Sequence, residues 1–400
     1  MTVRPASPEA HIGTYYAVAF GALGFVLPFF SLWLDARGMS PGMIGVTVAA
    51  PSVAMILTTV LIGRRIDGLG EPRAGIVLLN AAVLVLNAAL VFAHGEWAIL
   101  VLWTLGGMML HAAMPASDAL ALDVTRRRGT DWARLRMFGS IGFVVAVLVG
   151  GALFERLGLE LFLGMLIATS ALRLLASARL PSARAPAARG PKRLSDDASG
   201  VPPVDEPTVE RAAGESLYRP GVLLTLAGAA LINASHAFFY AFGLLVWTRA
   251  GVGETLGGVL WGAGVVAEVA LMWRFGAIAR RVSARACLLL AGAAGLVRWS
   301  ITAFEPGVGW LLFAQSLHAA TFGLMFLSTA SFIARRVASH DAVRGQSLSA
   351  TFAASTMAGA TWGVGWVYED HGAGAAYLCM AALCALGMTL VGASYRTALD

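Results

Sequence analysis

Three ionisable side chains lie within long apolar stretches of the second half of the chain: Glu268, Arg298 and His318. Each costs about 2.5 to 3.5 kcal/mol at the centre of a membrane helix on insertion scales, so a partner or a polar cavity must compensate for it. An arginine keeps a neighbouring carboxylate ionised, exclusion of water favours the neutral carboxyl, and histidine titrates near neutral pH. These residue types predict proton coupling. A structural ion pair between Glu268 and Arg298 is the alternative.

The first half contains a fourth candidate for proton transfer, Asp118, which follows Pro115 by about one helical turn. The alternative for Asp118 is an ion pair with Arg134 or Arg136 that latches a gate. His111 shares the helical face of Pro115 and Asp118, because residues at i, i+4 and i+7 lie above one another. It is either a cavity residue or a packing histidine.

Polar and aromatic stripes predict where a solute binds. Asn233, His236 and Tyr240 have the spacing i, i+3, i+7, and Gln315, His318 and Phe322 share one helical face. Any single stripe is more often explained by helix packing than by ligand contact, whereas several stripes together favour a cavity. The predicted substrate-binding residues are Tyr16, Phe20, His111, Asn233, His236, Tyr240, Gln315 and Phe322.

Motifs for enzymatic chemistry are absent from the sequence. The only lysine, Lys192, lacks the Gly-Lys-Ser/Thr context of a phosphate-binding loop, and the seven histidines form no H-E-x-x-H motif. Neither ATP-driven pumping nor hydrolysis is predicted, and neither a cofactor nor a metal ion is expected. The energy source should be an ion gradient.

The composition indicates a polytopic helical membrane protein. Of the 400 residues, 58% are apolar and 13% are charged, whereas a soluble domain has about 25% charged residues. One crossing takes about 20 apolar residues. The apolar runs predict twelve spans, numbered here in chain order: 12–34, 41–63, 74–93, 97–122, 137–155, 158–178, 218–248, 254–276, 286–303, 308–334, 346–368 and 373–393.

The spans fall into two halves, 1–178 and 218–400, separated by the segment 179–217. This segment is rich in Pro, Ala, Ser and mixed charge, which predicts a flexible cytoplasmic linker. Gly151, Phe154 and Glu155 at the end of span 5 resemble Gly365, Tyr368 and Glu369 at the end of span 11. Duplicated bundles suit alternating access about a central site.

Basic residues predict the orientation. If both termini are cytoplasmic, most of the 29 Lys and Arg residues lie in inner loops and tails, and only Arg37, Arg156 and Arg249 lie in outer loops. The net charge of +6 therefore reflects topology, and nucleic-acid binding is not expected. We expect a monomer in the lipid bilayer of the cytoplasmic (inner) membrane.

Several segments resemble the major facilitator superfamily. GRRIDGLGEPR at 63–73 is similar to its loop between spans 2 and 3. PASDALAL at 115–122, RLRMFGSIGF at 134–143 and QSLHAATFG at 315–323 resemble its 3-phenylpropionate permease and lactose-permease-like branch. The resemblance implies an all-α fold of twelve transmembrane helices in two pseudo-symmetric six-helix bundles. It also implies that Asp67 and Arg73 act as conformational-switch residues, and we place Arg134 and Arg136 in the same group.

The resemblance adds roles for the ionisable residues. In lactose-permease-like transporters a span 8 glutamate, a span 9 arginine and a span 10 histidine join proton coupling to substrate recognition, and Glu268, Arg298 and His318 match them. A second carboxylate usually follows the histidine by one turn, where this chain has Thr321. The proton carrier is then Glu268 or Asp118, or coupling is lost.

The predicted function is proton symport of a small organic solute by alternating access. The resemblance to the permease branch favours an aromatic or other monocarboxylic acid, and Arg298 can receive a carboxylate. Three alternatives stay open: a sugar or nucleoside symporter, proton-antiport efflux of drugs or metabolites, and a non-transporting membrane sensor.

Overall fold

The computed structural model describes residues 7–67, 71–182 and 215–396, without the side chains of 57–67, Ala133 and Ser339. This part of the chain is helical and contains no strand, apart from one isolated bridge between Glu215 and Val337. Ten of its helices are long and apolar enough to cross a membrane. The predicted all-helical membrane fold is confirmed.

Every predicted span coincides with helix. Spans 1 to 6 are Pro8–Ala36, Pro41–Asp67, Pro72–Ala89, Glu96–Arg128, Trp132–Leu157 and Leu161–Ala178. Spans 8 and 9 are Glu254–Ala279 and Ala284–Ala303. Spans 11 and 12 are the two helices within Ala342–Arg396, and the non-helical residue Gly372 separates them. Short 3-10 turns occupy Leu90–Phe92 and Ser339–Asp341.

Two spans are irregular in the middle. Span 7 consists of Pro220–Ala234 and Ala237–Arg249, which meet at Ser235 and His236. Span 10 consists of Val308–Ser316, a π-helical segment Ala319–Leu324, and Met325–Arg336. The sequence predicted neither interruption.

Residues at the helix ends explain where the helices start and stop. Pro8, Pro72 and Pro220 each occupy the first turn of a helix, where a missing N–H costs nothing. The Ser283 hydroxyl accepts a hydrogen bond from the Ala286 N–H at the start of span 9. Gly372 has φ 81°, which a residue without Cβ adopts readily, so the chain turns there between spans 11 and 12.

The chain divides into two compact units. Unit 1 contains Met1–Arg193 and Gly253–Val259, and unit 2 contains Leu194–Val252 and Leu260–Asp400. Most of the predicted linker lies outside the described residues. Its described ends pack against helices, since Leu180 and Leu217 are each 2% exposed. The domain limits at 178 and 218 remain predictions.

Within unit 2, spans 7 and 12 touch through their backbones. A Cβ on Gly228 would lie 2.6 Å from the carbonyl oxygen of Gly387, and a Cβ on Gly387 would lie 2.7 Å from that of Gly228. Small residues allow membrane helices to approach this closely. In contrast, large apolar side chains cover outer surfaces, as Phe92 and Trp273 show with 79% and 78% exposure. Such surfaces suit lipid rather than water.

Candidate functional site

The two irregular spans meet in unit 2. His236 lies at the interruption of span 7, and its Nε2 is 3.0 Å from Oγ1 of Thr321 in the π-helical segment of span 10. Interrupted helices at membrane depth occur where the backbone is enclosed by protein or lines a cavity, and π-helical turns are frequent at functional sites. This meeting point is the candidate site.

Arg298 of span 9 is at the centre of the site and is fully buried. Its Nη1 donates to Nδ1 of His318 and to Oγ1 of Thr321, both at 3.0 Å, and its Nη2 donates to Oε1 of Gln315 at 2.9 Å. Its Nε has no hydrogen-bond partner among the described residues. Trp299, with its ring centroid 4.3 Å from the guanidinium, adds a cation–π contact. Among the described residues, the guanidinium therefore contacts only neutral groups.

The partner of Arg298 determines which nitrogen of His318 carries the proton. A guanidinium can only donate, so Nδ1 of His318 must accept and Nε2 must hold the hydrogen. That Nε2 faces Oε2 of Glu268 at 3.6 Å. A proton on Nδ1 would face the N–H group that Nη1 of Arg298 donates, so His318 stays neutral while it contacts Arg298. Glu268 is the remaining group in this contact that can take up a proton.

The alternative of a direct Glu268–Arg298 ion pair is wrong. Both side chains reach span 10, and the imidazole of His318 lies between them. Sequence spacing could not show this, because the order of three side chains across a helix interface depends on how the helices are rotated.

The remaining predicted residues of this site surround the histidines. The backbone carbonyl oxygen of Asn233 lies 3.0 Å from Nδ1 of His236. The ring of Tyr240 stacks on His236 with centroids 5.5 Å apart, and Phe322 stacks on His318 at 5.4 Å.

A second polar cluster lies in unit 1, around Asp118 of span 4. Nη1 of Arg136 in span 5 donates a hydrogen bond to Oδ2 of Asp118 at 2.9 Å, and the Tyr16 hydroxyl donates one to Oδ1 at 2.6 Å. The Trp132 indole donates to the Tyr16 hydroxyl at 3.1 Å. The ring centroid of Phe20 lies 5.4 Å from the Arg136 guanidinium. Both oxygens of Asp118 therefore accept hydrogen bonds, one from Tyr16 and one from Arg136.

The other predicted residues of unit 1 lie apart from this cluster. Arg134 is exposed and faces Asp131 at 3.9 Å, so it does not pair with Asp118. Arg73 donates to the Ala178 carbonyl at 2.5 Å. His111 is half-buried and has no hydrogen bond within the described residues. The side chain of Asp67 lies outside the described residues.

Known proteins are similar to this chain over nearly its whole length. The MFS_1 like family matches residues 11–379. The chain belongs to this family. A probable 3-phenylpropionic acid transporter of Escherichia coli (strain K12) is 30% identical over 370 residues, which cover 90% of this chain and 91% of that protein. Maltose permease of Geobacillus stearothermophilus is 26% identical over 332 residues, covering 81% and 78% of the two chains.

Solved structures of transporters are also similar to this chain in fold. The nucleoside transporter NupG gives a TM-score of 0.76 at 12% identity and covers 98% of this chain and 99% of its own. The POT family transporter PepTSo gives a TM-score of 0.70 at 12% identity, with 98% of each chain covered. The chain is therefore a multi-pass secondary transporter with the major facilitator fold, and the prediction that it is not an enzyme is confirmed.

The sequence analysis did not predict several aromatic residues that lie in the candidate site and in the unit 1 cluster. Trp299 and Phe239 lie against Arg298, and Trp132 lies against Arg136 and Tyr16. Trp299 follows Arg298 directly and Trp132 precedes Arg136 by four residues, so proximity in sequence was an available signal. Among the described residues, no three His, Cys, Asp or Glu side chains converge as metal ligands.

Proposed function

We propose that the chain carries out proton-coupled symport of small monocarboxylic acids, with Arg298 as the carboxylate receptor and Glu268 as the proton carrier. The observation that carries this proposal is the buried guanidinium of Arg298, whose partners among the described residues are neutral. Of its five N–H donors, the Nε proton and one Nη2 proton are unused. Neighbouring donors of this kind suit the two oxygens of a carboxylate.

Charge balance supports one proton for each carboxylate. Arg298 and an ionised Glu268 together have no net charge, and the contact between Arg298 and His318 keeps His318 neutral. A bound carboxylate would leave one uncompensated negative charge in the interior, which is costly. Protonation of Glu268 removes that charge. Binding of the anion and uptake of one proton therefore favour each other.

The rings around the site support an aromatic acid as the solute. Tyr240, Phe322 and Trp299 surround the two histidines and the guanidinium, and an aryl group packs well against such rings. The 30% identical relative bears the name of a 3-phenylpropionic acid transporter, which makes 3-phenylpropionate the first probe to test. Bacterial relatives support the inner membrane as the location, and the basic loops support cytoplasmic termini.

The unit 1 cluster supports a second candidate, symport of a sugar. The Asp118 and Arg136 side chains are 27% and 39% exposed, and Phe20 and Trp132 pack beside them. A charged pair beside aromatic rings suits a ring with many hydroxyl groups, and one relative is named a maltose permease.

Calorimetric titration of the purified full chain tests the proposal. We expect 3-phenylpropionate to bind, and its uncharged amide, maltose and uridine to bind at least tenfold more weakly. Arg298→Gln should abolish binding of the acid. Arg285→Gln is the matched control, because Arg285 is a buried arginine on the same helix that bonds Thr225 instead. Tighter binding of maltose would favour the second candidate. Absence of any solute flux in vesicles would favour a sensor.

A further inference from the structure

Thr321 lies in the π-helical segment of span 10, and its surroundings show what its neutral hydroxyl does. Its Oγ1 lies 3.0 Å from Nη1 of Arg298 and 3.0 Å from Nε2 of His236. A carboxylate at this position would meet the guanidinium at hydrogen-bond distance and neutralise it. The hydroxyl bonds to the guanidinium without cancelling its charge.

Hydrogen-bond directions fix the hydroxyl of Thr321. Nδ1 of His236 lies 3.0 Å from the Asn233 carbonyl oxygen, which can only accept, so Nδ1 carries the proton of a neutral imidazole. Nε2 of His236 must then accept. The Thr321 hydroxyl donates its single proton to this nitrogen at 3.0 Å rather than to the His318 backbone carbonyl oxygen, which lies farther away at 3.4 Å. The lone pairs of Thr321 are left to accept from Arg298. Thr321 is completely buried, so water does not compete for these bonds.

The irregular backbone of both spans supports this arrangement. Because span 7 is interrupted here, the backbone carbonyl of Asn233 accepts hydrogen bonds from both the backbone N–H and Nδ1 of His236. The π-helical segment of span 10 holds Thr321, three residues after His318, so that both residues contact the same nitrogen of Arg298.

We propose that Thr321, oriented by His236, is the specificity-determining residue of the site, because it positions the Arg298 guanidinium and leaves its charge available for a substrate carboxylate. Thr321 and His236 are positioning residues in this scheme. The inference rests on the proposed function and adds the reason why an acid, rather than an uncharged solute, is selected.

A pair of isosteric variants tests the proposal through charge alone. Thr321→Asp adds a carboxylate at the guanidinium, whereas Thr321→Asn adds an amide of the same shape. We expect the Kd for 3-phenylpropionate to be roughly 30-fold higher, or more, in T321D than in T321N, since a hydrogen-bonded charge pair is replaced. The Kd for 3-phenylpropanamide should differ little between the two. Equal Kd values for the acid would overturn the proposal.

A second measurement does not depend on transport or on the folding of T321D. Nitrogen NMR of the full chain labelled with 15N-histidine should show the Nδ1–H tautomer for His236, with the resonance assigned from His236→Gln. Thr321→Val should shift the Nε2 resonance, and Thr321→Ser should not. An Nε2–H tautomer for His236 would refute the positioning role. If the wild-type chain binds no acid but shows the expected tautomer, the proposed function fails while the hydrogen-bond arrangement stands.

Discussion

Replacing Glu268 by glutamine gives the sharpest prediction of the proton-coupling scheme. His318 joins Glu268 to Arg298, with contacts of 3.6 Å on one side of the imidazole and 3.0 Å on the other. A carboxylate bound to Arg298 would therefore lie roughly 10 Å from that of Glu268, where two like charges repel by about 2 kcal/mol at an effective dielectric constant near 20. Glutamine keeps the shape of the side chain and removes the repulsion.

This energy sets the size of the pH effect on binding. In the wild-type chain, raising the pH ionises Glu268 and should raise the Kd for 3-phenylpropionate by up to about 30-fold, which corresponds to about 2 kcal/mol. E268Q should bind with the low-pH affinity of the wild type at every pH. It should also exchange labelled solute across vesicles without moving protons.

Titration calorimetry between pH 5.5 and pH 8.5, in two buffers of different ionisation enthalpy, measures both Kd and proton uptake. Glu305→Gln is the control, because Glu305 is exposed outside the site in unit 2. A pH dependence of Kd in E268Q equal to that of the wild type would refute Glu268 as the proton carrier.

Three further substitutions test other parts of the account. Asp118→Asn should retain the wild-type slope of log Kd against pH, because both oxygens of Asp118 already accept hydrogen bonds from Tyr16 and Arg136. Loss of the slope would transfer the proton-carrier role to Asp118. Arg298→Lys should raise the Kd for 3-phenylpropionate about 10- to 100-fold, since an ammonium cannot reproduce the planar fork, and unchanged affinity in the same titration would contradict the receptor role. Gly387→Ala should destabilise the protein by about 1 to 3 kcal/mol, because the new Cβ would meet the Gly228 carbonyl. Gly392→Ala on the same helix is the control, because its new Cβ would meet nothing within 4 Å. A similar loss of thermal stability in both variants would refute the close-packing argument.

The sequence was sufficient for the fold because long apolar runs have few structural solutions in a membrane. A run such as 97–122 must satisfy its own backbone hydrogen bonds and therefore forms a helix. Glycine at 372 and proline at 220 mark helix ends by their backbone preferences alone. Such signals are local, so they can be read without knowing any neighbour in space.

The structure brings Glu268, Arg298 and His318 together, but the sequence did not predict which of them touch. Glu268, Arg298 and His318 stood out because charge inside an apolar run is rare. Which of them touch depends on helix rotation and on two backbone irregularities, at His236 and at Thr321, that have no clear sequence signature. The tautomers of the two histidines follow only from the contacts of their ring nitrogens in three dimensions.

The most direct test of the central claim is the number of protons and charges that move with each solute molecule. In vesicles containing the purified chain, inward movement of 3-phenylpropionate should carry one proton per molecule, reported by a trapped pH dye, and should be unaffected by a potassium-valinomycin potential. Uptake that responds to the potential, or that leaves the internal pH unchanged, would contradict electroneutral symport through Arg298 and Glu268.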